Sequence, residues 1–365
     1  MTGMMRALGL MSGTSMDGVD AALVETDGET IGGFGPSVFV AYDDAERAVL
    51  RGALGAWPGD AGLEAVEALV RRVHGRAVAA LPGAEVVGFH GQTLAHAPQG
   101  RGTHQIGRGD LLAAECGVPV VWDFRSADVA SGGEGAPLVP VFHFACARRM
   151  GAVAPVAFLN LGGVGNVTWV DPAAAGPEVA GALLAFDTGP GNALIDDFLA
   201  ARLGAAFDSG GEIAAKGVVH LDVLSDLAGH PHLARTPPKS LDRQEFHVFL
   251  ERVAGLSTED GAATLTALSA ACVAAAAAHF PKPVERWLVC GGGRLNRTLM
   301  AMIGQRSNAA VETVEEVGLD GDMLEAQAFA HLAVRVLRGV PTSLPGTTGC
   351  RVPVCGGRIS RPGSA

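Results

Sequence analysis

Lysine is scarce, with only three among the 27 basic residues, and the 38 acidic residues leave a formal net charge of −11. A chain of this balance, with a pI near 5.4, has no basic surface to neutralise a nucleic-acid backbone or an anionic bilayer. No nucleic-acid and no membrane partner is therefore expected. Any polyanionic ligand must be held locally. The lysine deficit accompanies abundant Ala, Gly and Arg, agrees with codon bias, and points to no function.

Other absences narrow the field. The six cysteines (Cys116, Cys146, Cys272, Cys290, Cys350, Cys355) are dispersed without a C-x-x-C pair, which argues against a zinc site and a disulfide framework. Reduced thiols are expected. The eleven histidines contain no H-E-x-x-H spacing, and His230 and His232 flank a proline in a polar loop, where they read as surface residues. Long apolar runs are missing too. Gly9, Ser12, Gly13 and Asp17 interrupt the N-terminal apolar stretch before a signal-peptide core can form, and the alanine run Ala270 to Ala278 is too short and too weakly apolar to span a bilayer. A soluble, cytoplasmic protein is expected.

What remains is a long, apolar-rich chain. Its 365 residues, 48% of them hydrophobic, exceed what one core usually organises, so two domains are expected, 1–150 and 151–365. The first is organised around Gly9 to Asp20. Leu8 and Leu10 lead into this turn and Ala21 to Val24 lead out, with Gly13, Thr14, Ser15, Asp17 and Gly18 between them, the pattern of a hairpin with a polar, glycine-bearing tip. Such a tip can present several N–H and hydroxyl donors to nucleotide phosphates. Gly13 and Gly18 have P-loop spacing, but Val19 and Asp20 stand where Lys and Ser/Thr must follow, and a strand follows where a helix is required. An ordinary hairpin with a polar tip is the competing reading. With 51 glycines, about twice the usual share, glycine patterns alone do not decide between them.

Strands and helices alternate beyond this point. A helix is expected over Leu63 to Leu81, a buried strand over Glu85 to His90, a short helix over Asp110 to Cys116 and a strand over Pro119 to Phe124. Loops after such strands commonly carry chemistry, so His90 and Gln92 are candidates for touching ligand, against simple loop hydrogen bonding. Near residue 150 the pattern restarts, with apolar runs Val156 to Leu161 and Val167 to Val170 around Gly162, Gly163, Gly165 and Asn166. This echoes the opening hairpin. Asp187 ends a third run and precedes Thr-Gly-Pro-Gly-Asn and a helix-like segment, Ala193 to Leu203; a carboxylate so placed serves either as a base for phosphoryl transfer or as a turn cap. Trp287 to Cys290 runs into Gly291, Gly292 and Gly293, a backbone bare enough for a flat ring such as adenine. Asp320 to Leu337 is the last long helix, with Glu325 in its first turns, and the tail from Pro345 has little to bury.

Together these residues resemble the anhydro-N-acetylmuramic acid kinases, a branch of the superfamily of hexokinases, actin and the seventy-kilodalton chaperones. The resemblance runs through Gly9 to Asp20, His-Gly-Gln-Thr at His90, Asp123-Phe124-Arg125, Gly135 to Pro140, Asn160-Leu161-Gly162-Gly163, Asp187 to Asn192, Pro237-Pro238-Lys239-Ser240 and Cys290 to Gly293. Glu134 departs from the family's usual Gln, and Leu241, Asp242 and Gln244 diverge after Pro-Pro-Lys-Ser.

The resemblance implies an α/β, two-lobed actin-like fold, a ribonuclease-H-like duplication with the active site in the interdomain cleft. It also implies use of ATP and Mg2+, with metal ligands unassigned, and an amino-sugar substrate. Phosphate and nucleotide contacts would come from Gly13, Thr14, Ser15, Met16, Asp17, Gly18, Val19 and Asp20, from Asn160, Gly162 and Gly163, and from Gly291, Gly292 and Gly293. His90, Gln92, Arg125 and Glu325 would face the sugar, and Asp187 would be the catalytic base. The implied reaction is hydrolysis of the 1,6-anhydro ring coupled to phosphorylation of O6, in peptidoglycan recycling. A homodimer is expected. A hexosamine kinase acting on an open sugar, or an actin- or chaperone-like ATPase without sugar, would use the same nucleotide elements.

Overall fold

The opening apolar run folds as β1 (Met5–Ser12) and turns through residues 13–17 into β2 (Gly18–Thr26), which pairs with β3 (Ile31–Ala41). The three form an antiparallel meander with Leu8 opposite Leu23 and Leu10 opposite Ala21. In this computed structural model, which describes residues 3–363, β1 also pairs in parallel with β4 (Val86–Ala97), and β4 with β6 (Val120–Trp122). A short strand β5 (Gly102–Ile106) folds back on the end of β4. Strand 86–97 runs well past the expected end at His90, because Gly91, at φ +73°, lets the chain kink and continue.

Alternation sorts the two faces of this sheet. Leu8, Leu10, Leu23, Val87 and Phe89 pack with Val66, Leu69, Val70 and Val73 of the helix Leu63–Ala80. Gly9 and Gly88, register neighbours on β1 and β4, face the other way and receive the helix Leu324–Arg338. Its backbone comes so close that a Cβ on Gly9 would overlap the Ala326 carbonyl, and one on Gly88 the Phe329 carbonyl.

That docking corrects the expected domain boundary. One unit is the chain up to Arg149 together with everything from Met323 on, and the other is Met150–Asp322. The apolar side of the last long helix matches the bare glycine stripe of the first sheet, so 323–365 does not continue the second domain. The tail is likewise better used than its composition suggests: the strand Arg358–Ser360 pairs with β6, and Ser343 and Thr348 donate to buried Asp128 at 2.5 and 2.7 Å.

The second unit repeats the plan. β7 (Val156–Leu161), β8 (Gly165–Val170) and β9 (Leu183–Gly189) form an antiparallel meander, and β7 pairs in parallel with β10 (Arg286–Cys290) and that with β11 (Ala310–Thr313). The order β11-β10-β7-β8-β9 matches β6-β4-β1-β2-β3 in both sequence and strand direction. A repeated meander followed by two parallel strands is the ribonuclease-H-like duplication of actin-like ATPases. The alanine run, read as too short and too weakly apolar to span a bilayer, belongs to a helix, Thr258–His279, which by length and composition alone could cross a membrane. Its Ala262, Leu265, Leu268 and Cys272 are buried against Leu194, Phe198 and Phe246, so its apolar character is that of a core helix.

Two histidines of the first unit make stability depend on pH. His74 and His331 are fully buried, and burial lowers their pKa to about 4 and about 3 respectively. In the unfolded chain both titrate near 6.5, so below that value the unfolded state takes up protons that the folded state refuses. Stability is therefore complete above pH 6.5 and is lost as pH falls toward about 4 for His74 and about 3 for His331. Between pH 7 and pH 5 each histidine is expected to cost roughly 2 kcal/mol. Urea midpoints should drop accordingly, and equal midpoints at the two pH values would contradict the assignment.

Candidate functional site

In the first unit, the hairpin tip is built as a rigid, open turn. Met16 adopts φ +54° and its N–H donates to the Gly13 carbonyl at 3.3 Å, while Ser15 Oγ donates to Asp17 Oδ1 at 2.8 Å. Thr14, Ser15 and Asp17 are exposed, and a Cβ on Gly13 would meet only Ser15 Oγ at 3.6 Å. The side chains of Met16 and Val19 go the other way, into the core, and Gly18 lies beneath the Phe39 ring. Of the expected phosphate-binding residues, these three can offer only main chain. Asp20 is half-buried within β2.

Gln92 is placed differently from expectation. Its side chain is wholly buried, its Oε1 accepts from Ser12 Oγ at 2.5 Å and its Nε2 donates to the Gly13 carbonyl at 3.1 Å. Ser12 Oγ also lies 3.0 Å from Tyr42 Oη. Gln92 thus braces the hairpin from below and has no surface to present to a sugar. Ser12 and Tyr42 carried no sequence signal, because their roles exist only once β1 pairs with β4 and the residue after β3 folds back to meet Ser12.

His90 and Arg125, both expected to face the sugar, contact each other. Arg125 Nε and Nη2 lie 3.1 and 3.0 Å from His90 Nε2, and Arg125 Nη1 donates to the Gly135 carbonyl at 2.7 Å. His90 Nδ1 is 2.9 Å from the Gly91 carbonyl and must donate to it. The ring is therefore the neutral Nδ1–H tautomer, accepting from Arg125 at Nε2. Burial, then the Arg125 charge, holds its pKa well below the usual value. Glu325, in the first turn of the helix Leu324–Arg338, completes the cluster: burial raises its carboxyl pKa and Arg125 pulls it back. Asp128 fixes the loop that receives Arg125 by accepting from the Gly135 N–H at 2.7 Å.

In the second unit, three glycine segments converge at the ends of β7 and β10. Gly162 and Gly163 form the β7–β8 turn, whose carbonyls accept from Asn192 N at 2.9 Å and Ala193 N at 3.1 Å, the start of the helix Ala193–Leu203. Gly191, at φ +52°, lies so close to this turn that a Cβ would come 2.5 Å from the Gly162 carbonyl. Gly291 abuts Asn160 and Gly293 abuts Leu161 and Asn192, so only Gly292 of the triple glycine is open. What the segments form is a backbone-lined surface beside a helix start whose first N–H groups are taken up by the turn carbonyls.

Asp187, near the end of β9, is half-buried. Its Oδ1 accepts from Asn166 Nδ2 at 2.9 Å and its Oδ2 from the Leu241 N–H at 2.8 Å. Its main chain is tied to the same surroundings, N–H to the Lys239 carbonyl at 2.9 Å and C=O to His232 Nε2 at 2.8 Å. His232 is thus fully buried, which corrects its reading as a surface residue; the polar loop folds over β9. The Lys239 amine lies 2.8 Å from the His232 carbonyl, and burial followed by the Arg235 charge lowers its pKa. Among the described residues no group of three or more His, Cys, Asp or Glu side chains is placed to hold a metal.

A family model described as anhydro-N-acetylmuramic acid kinase matches residues 5–361. Proteins so named from Cereibacter sphaeroides and Roseobacter denitrificans are 63% and 57% identical to this chain, over 98% and 100% of it and 96% of their own lengths. One from Paramagnetospirillum magneticum is 54% identical over 97% of this chain and 99% of its own.

Proposed function

The chain belongs to the anhydro-N-acetylmuramic acid kinase family, and from that premise we propose that it uses ATP and water to convert anhydro-N-acetylmuramic acid into N-acetylmuramic acid 6-phosphate. The observation that carries the substrate assignment is 63% identity over 98% of the chain. In the 1,6-anhydro sugar, O6 is locked in the bridge and is no hydroxyl to phosphorylate. Water must attack C1 as the C1–O6 bond breaks, and the freed O6 then attacks the γ-phosphorus with ADP leaving. Asp187 takes the proton of the attacking water and later releases it to solvent. The exposed N–H and hydroxyl groups of the 13–17 turn hold phosphate oxygens as their charge builds. Arg125, held by His90 and the Gly135 carbonyl, supplies the positive charge that would recognise a carboxylate such as the lactyl group, with Glu325 beside it.

Mg2+ would accompany the nucleotide, keeping most of its waters and held by substrate phosphates with one or two carboxylates. Exposed Asp17 on the hairpin turn is the side chain that would approach it. Bound there, the ion supplies positive charge to the phosphates.

Phosphorus NMR of the product mixture, with anhydro and open amino sugars compared in parallel, tests the reading. A sugar 6-phosphate formed preferentially from the anhydro sugar is expected. Equal or better use of the open sugar would indicate a hexosamine kinase, and inorganic phosphate without sugar phosphate an ATPase. A second test addresses the hairpin. Gly13→Val has room in the fold but places a branched side chain where phosphate oxygens must approach. ATP affinity should fall about tenfold, equivalent to one charge-assisted hydrogen bond. Calorimetry giving wild-type affinity for the folded variant would remove the hairpin from the site.

A further inference from the structure

The carboxylate of Asp187 is gripped from two sides, and one grip comes from a side chain with no evident structural duty. Asn166 on β8 is the register partner of Asp187 on β9, so their side chains leave the same face of the sheet as directly opposed neighbours. The ladder slips by one residue between Gly165 and Asn166, with Gly165 already opposite Gly189. This irregularity ends regular pairing beside Asp187. A Cβ on Gly165 would come 2.6 Å from Thr188 Oγ1, so glycine is needed there to let the strands close up. Asn166 Nδ2 then meets Asp187 Oδ1 at 2.9 Å. An ionised carboxylate only accepts, so Asn166 must present its NH2 group to it.

We infer that Asn166 is a positioning residue for the proposed base: it fixes the rotamer of Asp187 and, with the Leu241 N–H at 2.8 Å on the other oxygen, keeps the carboxyl ionised and aimed. The inference rests on the reading of Asp187 as the base. A donor to the charged form stabilises it relative to the protonated form. Losing a hydrogen bond to an ionised group should raise the pKa of that base by about 1 unit.

Other charged or titratable groups also lie around Asp187. Lys239 attracts its charge from the 237–241 segment, with His279 and Cys272 beside Lys239. His232 holds the Asp187 carbonyl, and Arg235 and Glu245 act on His232. None of them contacts Asn166 through an observed hydrogen bond, so their contributions stay constant when Asn166 is changed.

The test compares the pH profiles of kcat for the full-length enzyme and its Asn166→Leu and Asn166→Asp variants, with folding checked by thermal melting. In Asn166→Leu the acid limb should move up by about 1 pH unit. In Asn166→Asp, which retains the size of the side chain but sets like charges together, it should move further, by about 2 units. A side chain that only held the strands together would lower kcat without moving the limb. An unmoved limb in a folded variant therefore overturns the inference. Asp187→Asn is measured alongside. If it remains active, the base reading itself fails; if it is inactive while the Asn166 variants keep the wild-type limb, only the role of Asn166 is lost.

Discussion

Asp187→Asn is expected to lower turnover on the anhydro sugar by roughly 10²–10⁴ while leaving ATP and sugar binding nearly unchanged. The substitution preserves size and most of the local hydrogen bonding. Leu241 N–H can still donate to the amide oxygen, and the main-chain ties to Lys239 and His232 do not involve the side chain at all. What disappears is the ability to accept a proton from water. The competing role of turn cap predicts the opposite, because Asn caps turns about as well as Asp. Coupled measurement of ADP release, with calorimetry for binding, separates the two. Near-normal turnover in the folded variant would assign the base elsewhere, with Glu325 the next to test.

The largest effect on stability is expected at Gly9. In Gly9→Val the new Cβ would overlap the Ala326 carbonyl and press on the Ala330 amide, both backbone atoms of a helix that cannot move without leaving the sheet. Overpacking against backbone should cost about 3 kcal/mol or more. Urea denaturation should show a large drop in midpoint or no folded protein. Gly88→Val should behave alike, since its Cβ would strike the Phe329 carbonyl of the same helix. Gly13→Val serves as the contrast. Its neighbourhood is open, so the same change four residues away should spare stability and weaken ATP instead. A Gly9→Val protein as stable as wild type would mean that the helix does not dock as observed.

Much of this organisation was legible in the chain. Apolar alternation marks β1, β2, β7 and β8, and the segment Ala193 to Leu203 is a helix with the expected limits. Local pattern suffices there because the information lies within about ten residues. Gln92 shows where it stops. A glutamine after a buried strand reads equally as ligand contact or brace, and only the approach of Ser12 and Gly13 from a strand 80 positions away decides for the brace. His232 was illegible for a similar reason: a polar loop gives no sign that it will be folded over β9. The boundary at Met323 could not be read from composition, because the helix Leu324–Arg338 looks like any amphipathic helix and its destination is written in two glycines at positions 9 and 88.

The return of the chain to its first sheet sets an order on synthesis. As the chain leaves the ribosome, strands β1 to β6 emerge first, but the stripe at Gly9 and Gly88 stays uncovered until residues beyond Met323 have been made. The intervening unit is continuous in sequence and can complete its own core in the meantime. Closure of the first unit therefore waits on contacts between residues more than 300 positions apart, the kind whose loop-closure cost slows folding. During that interval the nascent protein carries a sheet face bare at Gly9 and Gly88, exposed apolar strand surface that the finished fold covers with a single helix.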